Sequence, residues 1–295
     1  MKTGIVYPQP EIRGNPGAIG TIARAVEAHG FDHLLVFEHV LAVDPTDRAA
    51  SLEGAYTEAD PFSDPLTIFA YLAGVTERIQ LMSGVLILPQ RQTPLVARQA
   101  ADVDLLTGGR LILGVGLGWN HVECEALGVD FATRGVRFEE QLHLLRRLWS
   151  GELLSYAGRF ESAERVKLNP PPGRQIPIWI GGSAPRATER IGRLADGFIG
   201  GGPIEHALQA KAAVDAARAT HDRADVEFSS TFQTSFLHSE DDAVAGAERW
   251  CDAGGTHVSI STMGMGFGSS VNAHLDAIGR IADRLGVRRP DPSAP

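Results

Sequence analysis

Glu38 and His39 stand side by side at the end of an apolar run, Leu34 to Phe37. An adjacent carboxylate and imidazole could give or take a proton near neutral pH. A Glu and a His hydrogen-bonded only for structure is the competing reading, and position in the fold decides between them. Other spacings point to a ligand. Ser83-Gly84-Val85 puts a glycine inside an apolar run, which often marks a bulge or the close approach of a ligand. Gly114-Val115-Gly116-Leu117-Gly118 precedes Trp119. Its alternating glycines would let a backbone lie flat against a planar ligand, although the spacing is not that of a dinucleotide fingerprint. Gly181-Gly182-Ser183 and Gly200-Gly201-Gly202-Pro203 each lead into a helical pattern. Backbone amides of a glycine turn at a helix start bind anions, and Ser183 adds a donor. Two such turns on consecutive runs point to a phosphate-bearing ligand.

Several chemistries find no support. His29 and His33 fall on different elements, His121 and Glu125 read as an exposed pair, and no HExxH or Cys/His cluster occurs, so no metal site is expected. There is no GxSxG elbow and no P-loop. The chain of 295 residues carries 27 Lys and Arg against 36 Asp and Glu, a net charge of −9. Without a basic cluster it is a poor partner for nucleic acid or an anionic membrane. No apolar run approaches the ~20 residues that span a bilayer. The first residues lack a signal peptide's apolar core, and the two cysteines, Cys124 and Cys251, read as reduced thiols. A soluble cytoplasmic protein with a small-molecule substrate is expected.

The elements that must position these residues show in the apolar periodicity. Eight short runs, Gly4–Tyr7, Leu34–Phe37, Ile79–Leu88, Leu111–Gly116, Ile176–Ile180, Gly197–Gly200, Val226–Leu237 and His257–Thr262, mostly lack polar alternation, as strands covered on both faces do. Helical patterns separate them: Ala18–His29 closing on Gly30, one opening at Asp64-Pro65, and one from Thr93-Pro94 to Gly108. The rest are a face of Phe138, Leu142, Leu145 and Trp149, then Ala184–Leu194, Ile204–Thr220, Asp241–Asp252 and Ser269–Leu285. Eight strands alternating with eight helices predict a closed (β/α)8 TIM barrel rather than an open doubly wound sheet. Glu152 to Glu161 reads as a small hairpin outside it, and Leu41 to Ser63 as a long strand-end loop. One domain is expected over residues 1–287, with a polar tail at 288–295. In such a barrel the active site lies at the C-terminal ends of the strands, where Glu38 and His39 fall.

Read in order, strings along nearly the whole chain resemble the luciferase-like monooxygenase superfamily, particularly its deazaflavin (coenzyme F-420) oxidoreductases. They include Glu27-Ala28-His29-Gly30-Phe31-Asp32, Asp64-Pro65-Leu66-Thr67, Thr76-Glu77-Arg78-Ile79 and Ala97-Arg98-Gln99-Ala100 through Gly108-Gly109-Arg110. Gly114 to Trp119, Pro177-Ile178-Trp179-Ile180-Gly181-Gly182-Ser183 and Ala195-Asp196-Gly197-Phe198 continue the series.

The resemblance implies a barrel that binds a deazaflavin or flavin at its mouth. It implies a non-proline cis peptide at Gly84-Val85 behind the ring, phosphate contacts at Gly181, Gly182 and Ser183, and His39 close to the reacting ring carbon with Glu38 as the preceding acid. The expected cofactor residues are thus Ser83, Gly84, Val85, Gly116, Gly118, Gly181, Gly182, Ser183, Gly200 and Gly201, with Phe37 and Trp119 in the substrate pocket. The implied activity is hydride transfer between coenzyme F-420 and an organic substrate, His39 handling the proton and Glu38 orienting it. An FMN-dependent monooxygenase using oxygen, and a non-redox barrel holding some other phosphate compound, are the alternatives.

Departures from the resemblance narrow the substrate. Relatives commonly have Asp where Glu38 stands. Trp119 occupies the place of the catalytic Glu of the sugar-phosphate dehydrogenases, and Lys211 is the sole lysine in the last 128 residues. Sugar phosphates are therefore not expected. Substrate choice should fall to Leu41–Ser63 and to the loop Ser261–Ser270. Apolar outer helix faces make a homodimer an expectation.

Overall fold

The computed structural model describes residues 1–12, 15–46, 52 and 56–288. The expected tail beyond Arg288 and the middle of the Leu41–Ser63 loop lie outside the described residues. Eleven strands and nine α-helices occur among those described. The strands are β1 (Lys2–Val6), β2 (His33–Val36), β3 (Gln80–Ser83), β4 (Leu86–Ile87), β5 (Leu111–Gly116), β6 (Leu154–Ala157), β7 (Ser162–Val166), β8 (Ile178–Gly181), β9 (Gly197–Gly200), β10 (Ser229–Gln233) and β11 (His257–Ser261). The helices are α1 (Ala18–His29), α2 (Pro65–Ala73), α3 (Thr93–Thr107), α4 (His121–Ala126), α5 (Arg134–Trp149), α6 (Pro185–Leu194), α7 (Ile204–Thr220), α8 (Glu240–Asp252) and α9 (Val271–Arg284).

The strands close in the order β3-β2-β1-β11-β10-β9-β8-β5, and β5 pairs back onto β3, every pairing parallel. This is the eight-stranded (β/α)8 barrel, with β4 continuing the β3 position beside β5. Alternation along each strand divides the apolar residues. Val6, Leu35, Met82, Ile112, Trp179 and Ile199 form an inner cluster, while neighbours such as Ile5, Leu34, Leu81 and Leu113 belong to the larger core. Burial of both strand faces explains the near-continuous apolar runs.

Local signals set the helix ends. Gly30 closes α1 at φ 94° and Gly108 closes α3 at φ 66°, a left-handed conformation that glycine adopts without a Cβ penalty. Asp64 caps α2 by accepting the Thr67 amide at 2.8 Å, with Pro65 in the first turn.

Three segments depart from their sequence pattern. The run Ile79–Leu88 is two strands, because the chain breaks at a cis Gly84-Val85 bond and turns into a short 3-10 helix at Leu88–Gln90. Within Val226–Leu237 only Ser229–Gln233 pairs as a strand. The hairpin reaches Val166, and its turn is tied down by Glu140 of α5, which accepts the amides of Arg159, Phe160 and Glu161. Among the described residues no helix is long and apolar enough to cross a membrane.

Candidate active site

The C-terminal ends of the strands surround a cavity of about 320 Å³. Phe37, Glu38 and His39 from the end of β2, Gly84 and Val85 from the break after β3, and Gly116, Gly118 and Trp119 after β5 all line it, as does Gly181. The remaining expected positions do not. Ser83 is fully buried and its hydroxyl donates to the Gly114 carbonyl at 2.8 Å, so it holds β3 to β5 rather than a ligand. Gly182, Ser183 and Gly201 are exposed outside this cavity, and Gly200 is buried beside Phe198. Ser183 borders a separate groove between α6 and α7. Any contact of these turns with a ligand would be with a part extending out of the cavity.

The floor of the cavity explains the glycines. A Cβ on Gly84 would lie 2.4 Å from Leu35 Cδ2, and one on Gly114 would lie 1.8 Å from the Ser83 carbonyl oxygen. Cβ atoms on Gly116 and Gly181 would come within 2.6 and 2.9 Å of the two methyls of Val85. Gly118, at φ 75°, does the same for Ile87. The alternating glycines thus make room for the side chains of the β3–β4 break. Gly116 and Gly118 line the cavity as expected positions, and Val85, seated between Gly116 and Gly181, is presented beside them. The non-proline cis bond implied by the resemblance is present at Gly84-Val85.

Glu38 and His39 point to different partners. The Glu38 carboxylate, fully buried, accepts from Arg91 and from the Ile87 amide. Arg91 also binds Asp64, the α2 cap, at 2.6 Å. Burial pushes the Glu38 carboxyl up, against the pull of Arg91 and the Ile87 amide. Glu38 therefore clamps the segment just after the cis bond to the end of β2. The expectation that it orients His39 is corrected by these contacts.

The carboxylate that does orient His39 comes from α4. Glu123 Oε2 lies 3.0 Å from His39 Nδ1, and its Oε1 accepts the amides of Val40 at 2.5 Å and Leu41 at 3.2 Å. Its side chain is 1 % exposed. Burial disfavours its charge, but the hydrogen bonds from His39 and from the Val40 and Leu41 amides outweigh that and hold the carboxyl below the usual range. An ionised carboxylate only accepts, so His39 Nδ1 is the donor of this pair, and the neutral form of the ring would keep its lone pair on Nε2. Nε2 has no partner among the described residues. Phe62, Tyr56 and Trp119 set ring edges around the imidazole at 4.8, 5.5 and 5.7 Å between centroids.

Sequence reasoning missed Glu123, although its signal was legible. Asn120 and Glu123 have capping-box spacing, and Asn120 Oδ1 accepts the Glu123 amide at 3.0 Å. What the spacing could not show is that the Glu123 side chain turns from its own helix towards the β2 end. Gln233 was also missed. It donates to the Gly84 carbonyl at 3.4 Å, which leaves its own carbonyl oxygen without a partner among the described residues. Burial and the charge of Asp60 push Tyr56 up to about 12, so its hydroxyl stays protonated. Among the described residues no group of three or more His, Cys, Asp or Glu side chains is placed to hold a metal ion.

Comparison with known proteins agrees with this fold. The family model for luciferase-like monooxygenases matches residues 3–289. A coenzyme F-420-dependent glucose-6-phosphate dehydrogenase of Nakamurella multipartita is 30% identical over 187 residues, which are 62% of this chain and 52% of that one. Among solved structures, a monooxygenase from Streptomyces bottropensis superposes with TM-score 0.78 at 17% identity, over 97% of this chain and 98% of its own. A coenzyme F-420-dependent secondary alcohol dehydrogenase, solved with an F-420–acetone adduct, gives TM-score 0.75 at 14% identity, over 97% and 99%. A match along nearly the full length, onto a closed parallel barrel with a polar cluster at its mouth, places the chain in the luciferase-like monooxygenase family.

Proposed function

We propose that the protein is an oxidoreductase that moves a hydride between coenzyme F-420 and an organic substrate at the barrel mouth. The observation that carries this reading is His39: its Nδ1 is held by the buried Glu123 carboxylate, and its ring lines the same cavity as Gly84 and Val85. The residues present suit a planar ring system. Val85, seated between two glycines, gives a smooth surface, and the Gln233 carbonyl oxygen is an acceptor at its edge. The cavity is at the small end of the ~300–1,000 Å³ typical of ligand pockets. It therefore accepts a ring and a compact reacting group, with the phosphate-bearing chain running towards the exposed turn at Gly182 and Ser183.

Bound coenzyme F-420 would supply two-electron hydride chemistry at its ring. His39 Nε2 takes the proton from a substrate hydroxyl, or returns one to a carbonyl, a step typically worth ~10²–10⁴ in rate. Glu123 fixes the tautomer and stabilises the imidazolium that forms, as the carboxylate of a catalytic triad does. Glu38 and Arg91 act one step away, by holding the segment that follows the floor. Phe62, Tyr56 and Trp119 shield the imidazole from bulk water. The named relative and the alcohol dehydrogenase structure support F-420 as the coenzyme.

The test is anaerobic. Protein with oxidised F-420 and a panel of secondary alcohols should bleach the coenzyme's absorbance without oxygen, or reduced F-420 should be reoxidised by ketones. Oxygen uptake with reduced FMN, and no redox change of F-420, would replace this reading with the monooxygenase one.

A further inference from the structure

A second, larger cavity of about 710 Å³ adjoins the reaction cavity. The two share Tyr56, Ser235 and Phe236 as a common wall. Four strand-end segments build the outer chamber: Glu11 after β1, Tyr56 and Asp60 in the loop after β2, Ser235 to His238 after β10, and Met263 to Ser269 after β11. We propose that this chamber seats the far end of the substrate, and that the substrate is an extended apolar or aromatic molecule ending in a hydrogen-bond donor, not in a phosphate or carboxylate. The proposal rests on the preceding reading in one respect: it takes the inner cavity as the place of the coenzyme ring and the reacting carbon.

The body of such a molecule is specified by the wall. Phe236 is 55% exposed, an unusual state for a phenylalanine, and it lines the chamber together with Tyr56 and Met263. Aromatic side chains placed this way bind apolar surface at low entropy cost. The Ser235 hydroxyl is enclosed at the same wall and has no hydrogen-bond partner among the described residues. A polar group left unpaired away from water is costly, and a ligand group passing through the wall would satisfy it.

The far end is specified by charge. Asp60 uses one oxygen, Oδ2, to accept the Thr57 amide at 2.9 Å and the Thr57 hydroxyl at 3.2 Å, and its other oxygen has no partner among the described residues. Glu11 accepts the Gly264 amide at 2.9 Å and lies 3.3 Å from the buried His274, so it closes the chamber with a second carboxylate. Among the described residues no Lys or Arg lines either cavity. Among the described residues lining the chamber an incoming anion meets two carboxylates, with His238 as the only basic side chain, whereas a hydroxyl or amine finds an acceptor in the second Asp60 oxygen.

Three probes on one skeleton test this: 4-phenylbutan-2-one, its para-hydroxy analogue and its para-carboxylate analogue. Calorimetry on F-420-saturated protein gives their dissociation constants. The hydroxy probe should bind tightest and the carboxylate at least about ten-fold more weakly. Asp60→Asn should narrow that gap at least about three-fold, and Phe236→Ala should weaken the hydroxy and unsubstituted probes about ten-fold. Equal or tighter binding of the carboxylate, no effect of Phe236→Ala, or binding of F-420 but of no probe would overturn the proposal. Failure of F-420 itself to bind, with the probe order intact, would overturn the hydride-transfer reading and leave the chamber standing.

Discussion

Histidines stand at both ends of the barrel strands, and the two ends treat them in opposite ways. At the mouth His39 has a buried carboxylate on one nitrogen, and its ring lines the cavity. At the opposite end, the floor of the barrel itself, His33 begins β2 and His257 begins β11, with ring centroids 5.8 Å apart, and neither has an acidic partner among the described residues. His33 Nε2 meets the Ser259 hydroxyl at 2.8 Å and His257 Nδ1 meets the Thr256 hydroxyl at 2.9 Å. Trp179 sets its edge against His257 at 4.9 Å, and Gly4 and Gly197 lack the Cβ that would strike the His33 and Trp179 rings. Burial, with a smaller contribution from neighbouring positive charge, pushes His33 down to about 3 and His257 to about 4. Imidazole is thus packing material at the floor, held neutral. At the mouth the same side chain is given a carboxylate that can receive its charge. Function follows the partner and the opening, not the residue type.

Removing each kind of histidine separates these roles. His39→Ala should lower hydride turnover by ~10²–10⁴ while coenzyme affinity and thermal midpoint stay near wild type. Full turnover in a variant that binds F-420 normally would remove His39 from the chemistry.

The floor answers to pH instead. Both floor imidazoles titrate lower in the folded chain than the ordinary histidine value of about 6.5, so the unfolded chain binds more protons in between. Their contribution is complete above that ordinary value and is lost as pH falls. Each group costs up to about 1.4 kcal/mol per pH unit until its folded-state value is reached. Urea midpoints measured from pH 7.5 to 5 should fall accordingly, and His257→Gln should flatten the slope. A midpoint independent of pH over that range would contradict the neutral floor.

Smaller effects sharpen the mouth. Glu123→Gln keeps the shape but cannot balance an imidazolium, and it should cost about ten- to a hundred-fold in turnover. Nitrogen NMR of the His39 ring should show the proton on Nδ1 in wild type and a mixture of tautomers in the variant. An unchanged tautomer and rate would leave Glu123 a purely structural residue. Ser183→Ala removes one exposed hydroxyl from the glycine turn and should weaken F-420 by only a few-fold, the worth of one hydrogen bond of about 1 kcal/mol. A hundred-fold loss would mean that this turn, not the Gly84-Val85 surface, dominates coenzyme affinity.

Most of the barrel was legible because strands buried on both faces must be apolar throughout, and the helices between them carry caps at Asp64 and Gly30 that declare their ends. The strand ends followed from the barrel, and with them Phe37, Glu38, His39 and Trp119. Which acid serves which base did not follow. Glu38 is adjacent to His39 in sequence, but successive residues diverge, and Glu38 turns to Arg91 while Glu123, 84 positions on, closes on the imidazole. Likewise the glycines at 114, 116 and 118 were conspicuous, yet only the packed structure shows that Ser83, Val85 and Ile87 occupy the space they leave.

Anaerobic titration of the purified protein with F-420 and, separately, with FMN tests the central claim most directly, read from coenzyme ring fluorescence. The account predicts saturable F-420 binding, FMN at least about ten-fold weaker, and loss of the F-420 signal in Gly84→Val, whose new side chain would strike Leu35. Tighter binding of FMN, or of neither coenzyme, would contradict it.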